Sequence, residues 1–364
     1  MRRYRNQFLI GLAFVGFVFV AIIAVFNAGE LIGKLGDFPL WLFVPIIILK
    51  FINWVFRYWE WHYYLRVIGI DVGPGRQTTS ITGDMSPSLS LRDSVLIWTV
   101  GLPTAVSPGK VAELLKSIVL KAMTGFSVST SAPVVFAERL VDGIAVILLV
   151  AISGIVVGNT FFDNSDISAG YLQGVLALAV ILMSLMIAVL QIRSLANWLL
   201  SHWHHIPLIG RFQDTLREFY ESSFLVTRLR NIAPTVGMGM IGYTADGIIF
   251  YLILLGLGET GSLMVLGQSI FILGFSVIVA ALSAMPGGAG GRELTVGALL
   301  SAVMGMSDAT LGVAVLLVGF FQIWFGTLLG IIVILIFRNI LFTVRIRDEI
   351  EQYEVKTMAT PSTQ

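Results

Sequence analysis

Two stretches decide how this chain is read: Ser107-Pro108-Gly109-Lys110-Val111-Ala112-Glu113 and Pro286-Gly287-Gly288-Ala289-Gly290-Gly291-Arg292-Glu293. Each is a Pro-Gly break followed by a cation and an acid, set within otherwise apolar sequence. Charge and irregular backbone are both costly in hydrocarbon, so their coincidence at two places points to a polar site inside a bilayer.

The surrounding composition agrees. Of 364 residues, 56% are hydrophobic and 12% charged, and the mean hydropathy is +0.88. A soluble domain carries about twice that charge, so the chain reads as an integral membrane protein, all-α and polytopic. There are no cysteines, which excludes disulfides, thiolate metal sites and Cys nucleophiles. Three of the four histidines sit together at His202, His204 and His205, a distribution that argues against a His-built catalytic or metal centre. The net charge of +1 hides basic residues at segment ends, a topological signal rather than a nucleic-acid footprint.

Working outward, Arg2, Arg3 and Arg5 precede an apolar run over about 8–28, read as a retained first span with a cytoplasmic N-terminus. A short outside loop, about 29–38, leads to a second span. That span ends in Arg57-Tyr58-Trp59-Glu60-Trp61-His62-Tyr63-Tyr64-Leu65-Arg66, read as an interfacial belt, with lipid-headgroup contact as the sharper alternative. From 93 to about 106 the chain is apolar but only about 21 Å long as a helix, against a hydrocarbon core of about 30 Å. With the break and the short helix after it, this predicts a re-entrant hairpin.

Full spans are expected over about 133–157, 171–191, 232–257 and 309–337, making about six with the first two. A second broken element lies between them, at 263–304. The polar loop between 193 and 231 is expected to carry an amphipathic surface helix with Phe212, Leu216, Phe219 and Phe224. Counting places both termini in the cytoplasm and makes the two broken hairpins open to opposite faces, the arrangement of an inverted repeat. The expected organisation is one transmembrane domain over 1–345, with half-repeats at about 40–157 and 232–337, the connector at 193–231, and a disordered cytoplasmic tail at 346–364.

The candidate binding residues follow from charge at depth. Lys110, Glu113 and Lys116 share a helix beginning at the first break, where free backbone N-H groups and cations suit an anion such as phosphate. Glu138, Arg139 and Asp142 lie at i, i+1 and i+4 in the next span, and Asp142 is too short to reach the interface without a partner. Arg292 and Glu293 follow the second break, whose glycines permit an anion-cradling turn. Asp246 stands deep in an apolar span, and a pairing with Arg292 is favoured over a proton-carrying role. Catalytic, cofactor and metal sites are not expected, because no hydrolytic or metal pattern lies within the membrane.

These residues resemble the lysylphosphatidylglycerol synthase transmembrane region, a flippase-like integral membrane family. The resemblance rests on Pro108-Gly109-Lys110 with Glu113-Leu114-Leu115-Lys116, on Glu138-Arg139-Leu140-Val141-Asp142, and on the segment from Pro286 to Glu293, across roughly 8–340. Lys110 stands where the family often has Arg, which keeps the charge and loses the bidentate fork. The resemblance implies translocation of an anionic or aminoacylated phospholipid, or of a polyprenyl-phosphate-linked lipid, in a prokaryotic cytoplasmic membrane. The aminoacyl-transferase domain of full synthases is not in this sequence, so the chain is not expected to be an enzyme. Alternative readings are a small-solute or ion-coupled transporter, or a structural membrane partner of a glycosyltransferase. Expected partners are the lipid, the membrane, a membrane-associated glycosyltransferase or aminoacyl-lipid synthase, and a second copy in a homodimer; nucleic acid is not expected.

Overall fold

The computed structural model describes residues 2–26, 28–73, 78–79, 85–86, 89–104, 106, 113–157, 169–191 and 213–341. Apart from one two-residue antiparallel pairing, Thr78–Thr79 with Met85–Ser86, these residues are built from helices. They are α1 (Arg2–Val25), α2 (Ala28–Gly36), α3 (Leu40–Val67), α4 (Leu91–Thr104), α5 (Leu115–Thr124) and α6 (Val128–Val157). There follow α7 (Ala169–Gln191), α8 (Gln213–Val226), α9 (Leu229–Gly256), α10 (Leu263–Leu282), α11 (Gly291–Met304) and α12 (Asp308–Ile336).

Five described helices, α3, α6, α9, α10 and α12, are long and apolar enough to cross a membrane, and six spans result if bent α1–α2 counts as one. The chain is a polytopic helical bundle. The segment read as an outside loop is instead largely helix α2, turned 93° from α1. Its Leu31 packs against bare Gly312 of α12, which explains why it does not run free.

The order span, helix, break, short helix, span occurs twice, as α3-α4-α5-α6 and α9-α10-α11-α12. Both short helices, α5 and α11, stop at a glycine in the left-handed region, Gly125 (φ 82°) and Gly305 (φ 58°), a conformation that side chains resist. The packing between halves has two-fold character. Helix α3 packs on its counterpart α9, while α6 packs on α10 and α4 on α12, which are the same contact with the halves exchanged.

The α3–α9 pair is antiparallel, since partners descend along one helix as they rise along the other: Lys50 with Asp246, Asn53 with Gly242, Tyr64 with Thr235. Counterpart helices that pack antiparallel are related by an axis perpendicular to their length, hence one lying in the membrane plane. The chain direction is thus reversed between these two helices. The halves differ here: α10 has 20 residues and is itself long and apolar enough to cross, whereas α4 has 14 and is not, so the element expected at 263–304 opens on a full-length helix.

Close approach is set by small residues. A Cβ on Gly330 of α12 would lie 2.4 Å from Pro103 Cδ of α4, and one on Gly274 of α10 would lie 2.6 Å from Val150 Cγ2 of α6. Both crossings therefore require glycine, consistent with packing of helices in a medium that gives no hydrophobic drive between them.

The expected connector helix is α8, and its Phe219 packs edge-on against Phe136 of α6 at 5.7 Å. Part of its apolar face is thus given to protein rather than lipid. Phe212 and the side chain of Leu216 lie outside the described residues, as do His202, His204 and His205. Glu218 of α8 accepts hydrogen bonds from the hydroxyls of Ser127, Ser129 and Thr130 at the start of α6. Burial pushes this carboxyl up, but the three hydroxyl donors outweigh it and hold it below its ordinary value of 4.5. A lowered folded value means the contribution is complete above the ordinary glutamate range and is lost as pH falls through the lowered value. Hydrogen exchange over 213–226 should accelerate in strong acid in wild type and be fast at neutral pH in Glu218→Ala. Equal protection in the two proteins at neutral pH would show that the clasp does not dock α8.

Candidate functional site

The site is built from a polar stripe on α3. Lys50, Asn53, Arg57 and Glu60 recur at intervals of three, four and three residues, which places them on one face of a helix. That face is turned into the bundle: Lys50 is 4%, Asn53 1% and Glu60 1% exposed. Lys50 Nζ meets Asp246 Oδ1 of α9 at 2.9 Å. Beside it Asn53 Nδ2 donates to the Gly242 carbonyl at 2.8 Å, an approach allowed by the bare glycine, whose Cβ would lie 3.3 Å from that nitrogen.

One turn farther, Arg57 Nη1 meets Asp142 Oδ1 of α6 at 2.6 Å and its guanidinium lies 4.7 Å from the Tyr243 ring centre. Asp142 is shared, because its other oxygen takes Arg139 Nη1 at 2.8 Å. Arg139 Nε in turn lies 3.3 Å from Glu113 Oε2, tying in the segment just before α5. Lys116 of α5 donates to Glu138 Oε2 at 2.6 Å and sits 4.6 Å from the Trp61 ring centre. Its stem crosses Gly101 of α4, where a Cβ would lie 2.9 Å from Lys116 Cδ. Four helices, α3, α5, α6 and α9, thus share one buried ionic network, the arrangement expected of charges held at membrane depth.

Of the residues singled out by sequence, Glu113, Lys116, Glu138, Arg139 and Asp142 are brought together. Asp246 joins them through Lys50. The expected pairing of Asp246 with Arg292 is not formed, because α3 packs directly on α9 and supplies Lys50 at closer reach. Lys110, with Ser107, Pro108 and Gly109, lies outside the described residues.

Arg292 and Glu293 form a separate pair at the start of α11. Glu293 Oε2 also accepts the Gly290 N-H at 2.7 Å, closing the helix start. Gly287, Gly288 and Gly290 all have φ between 63° and 87°, so this turn needs glycine at each. Both Arg292 and Glu293 are about 5% exposed or less, and Arg292 Nε has no hydrogen-bond partner among the described residues. The second break packs against the residue that precedes the first. Val106, the last described residue before the first, packs with Ala289 of the second, together with Val15 and Ile323, and a Cβ on Gly287 would lie 3.6 Å from Val106 Cα. Beside this junction α12 widens into a π-turn at Phe320–Trp324, a local form frequent near functional sites.

Sequence reasoning missed Lys50 and Asn53 and placed Arg57 and Glu60 at the interface. The signal was their helical spacing, masked by the aromatics interleaved with them.

Fold and site together define a multi-pass helical membrane protein with ion pairs buried between its helices. The chain belongs to the family Lysylphosphatidylglycerol synthase TM region, which matches residues 8–330. No curated protein and no solved structure gives a significant match to it.

Proposed function

We propose that this protein moves a lipid between membrane leaflets, flippase-like, without altering it covalently. The lipid is an anionic or aminoacylated phospholipid or a polyprenyl-phosphate-linked lipid. The observation that carries the reading is the set of ion pairs buried between α3, α5, α6 and α9 of a multi-pass bundle. Membership in a family named for a lipid synthase's membrane region supports the substrate class.

The mechanism follows from the cost of buried charge. Removing one partner of a buried ion pair is expensive, whereas exchanging one anion for another keeps the cation satisfied. An entering phosphate would displace Glu138 from Lys116, or Asp142 from Arg57, and engage Lys110. Glu113 and Asp142 would re-pair the cations, or accept an amino group where the headgroup has one. Arg292, with its free Nε, would receive the phosphate in the other half, and Glu293 would hold it there. Acyl chains stay in lipid throughout, so no wide aqueous pore is required. The setting is a prokaryotic cytoplasmic membrane with both termini cytoplasmic. There a membrane-associated glycosyltransferase or aminoacyl-lipid synthase would supply the substrate, and the protein would act alone or as a homodimer.

Reconstitution into liposomes tests this, measuring leaflet exchange of each candidate lipid for wild type, Lys110→Ala and Arg292→Ala. Each substitution should lower exchange at least about tenfold, the equivalent of losing about 1.4 kcal/mol of stabilisation. Equal rates in all three proteins would remove these residues from the path.

A further inference from the structure

We propose that Glu60 is a proton-binding site of the ionic network, loaded while the cations are paired as seen here and unloaded when that pairing opens, so that transport is coupled to a proton gradient. The coupling rests on the translocase reading; the proton site does not.

Glu60 is the one acid of the described network without an ion pair. The cations are committed elsewhere: Lys50 to Asp246, Lys116 to Glu138, Arg57 to Asp142, and Arg139 to Asp142 and Glu113. Glu60 itself is 1% exposed, and its Oε1 has no hydrogen-bond partner among the described residues. Four described cations thus face five acids.

The described groups around it do not replace the missing partner. On its own helix Arg57 is one turn away but held by Asp142 at 2.6 Å. From α6, Glu138 and Asp142 act on it as like charges and Arg139 as an opposite one, the last already shared by two acids. From α5, Lys116 is turned to Glu138 and the Trp61 ring, and Glu113, just before α5, is turned to Arg139. From α9, Thr235 is bonded to Tyr64, Tyr243 lies under Arg57 and Asp246 holds Lys50. On α4, Asp93 is bonded to Ser90 and Arg92 lies over Phe337. On α8, Glu218 is clasped by three hydroxyls and Glu221 is exposed. Helix α12 presents Phe325 to Trp54.

An enclosed carboxylate with no counter-ion among the described residues is costly, and a proton is the cation that relieves it without requiring added volume. Opening supplies the reverse step. When Asp142 moves away and leaves Arg57 unoccupied, its guanidinium can pair with Glu60 at i, i+3 on the same helix. The carboxyl then returns its proton to water. One proton is taken from water on one face and given to water on the other, with no bond made or broken besides O-H.

Two measurements on the full chain test this. Infrared difference spectra across a pH step should show a protonated-carboxyl band in wild type that is missing in Glu60→Gln. In proteoliposomes containing phosphatidylglycerol, wild-type leaflet exchange should differ at least about threefold between inside-acid and outside-acid gradients, and Glu60→Gln should show no difference. A band that persists in Glu60→Gln, or wild-type exchange indifferent to the gradient, would overturn the proposal while leaving the translocase reading intact. Wild type that moves no lipid would defeat the translocase reading, and the infrared band alone would then decide the proton site. Should Glu60→Gln fail to fold, Glu60→Asp supplies the assignment: the band must shift, and an unshifted band counts against Glu60.

Discussion

Replacing Asp142 with alanine should destabilise the protein by about 3–5 kcal/mol, the range for removing one partner of a buried ionic network. Asp142 is 6% exposed and carries two guanidiniums, Arg57 at 2.6 Å and Arg139 at 2.8 Å. Its loss removes the carboxylate that Arg57 holds at 2.6 Å, while Arg139 retains Glu113. A second substitution, Arg57→Met, removes the stranded charge and keeps much of the stem's packing. The pair Asp142→Ala/Arg57→Met should therefore recover more than half of the lost stability, although it adds a further change to the core. Unfolding in mixed detergent micelles reads both. Wild-type stability in the single variant would mean that Asp142 does not bridge the two arginines in the membrane.

Lys116 and Glu138 separate stability from transport. Each is 4% exposed, and they meet at 2.6 Å. Lys116→Met alone leaves a buried carboxylate, Glu138→Leu alone a buried ammonium, and each should cost about 3–5 kcal/mol. The double variant buries neither charge and should lie within about 1–2 kcal/mol of wild type, since apolar pairs of similar volume replace buried ion pairs at little cost. A double-mutant cycle would then give a coupling of several kcal/mol. Leaflet exchange should still fall at least about tenfold in the stable double variant, because the cation offered to the headgroup is gone. Full exchange in that protein would make the pair purely structural and move the anion path elsewhere.

Much of this was legible in the chain. Hydropathy located α3, α6, α9 and α12 because lipid forces every backbone group into helix, and the Pro-Gly breaks were visible because they violate that rule; it did not separate α10, long enough to cross, from a broken element. Glu113, Lys116, Glu138, Arg139 and Asp142 stood out for the same reason, each being costly where it lies. Lys50 and Asn53 obeyed a helical spacing but sat among Trp, Tyr and Phe, and in one dimension an aromatic belt and a polar stripe overlap. Their inward direction depends on which neighbour α3 faces. Partner choice was also beyond reach: Asp246 takes Lys50 rather than Arg292 because α3 and α9 cross in antiparallel contact, with Gly242 allowing the approach.

The sequence by itself determined an all-helical membrane protein with two broken elements and an intramembrane set of charges, because the cost of polar groups in hydrocarbon acts residue by residue. Only the tertiary structure decided that α6 packs on α10 as α4 packs on α12, that Val106 packs on Ala289, and which acid holds which cation. Those outcomes depend on distances between segments far apart in the chain, and glycines such as Gly101, Gly242 and Gly330 set those distances only once their partners are in place.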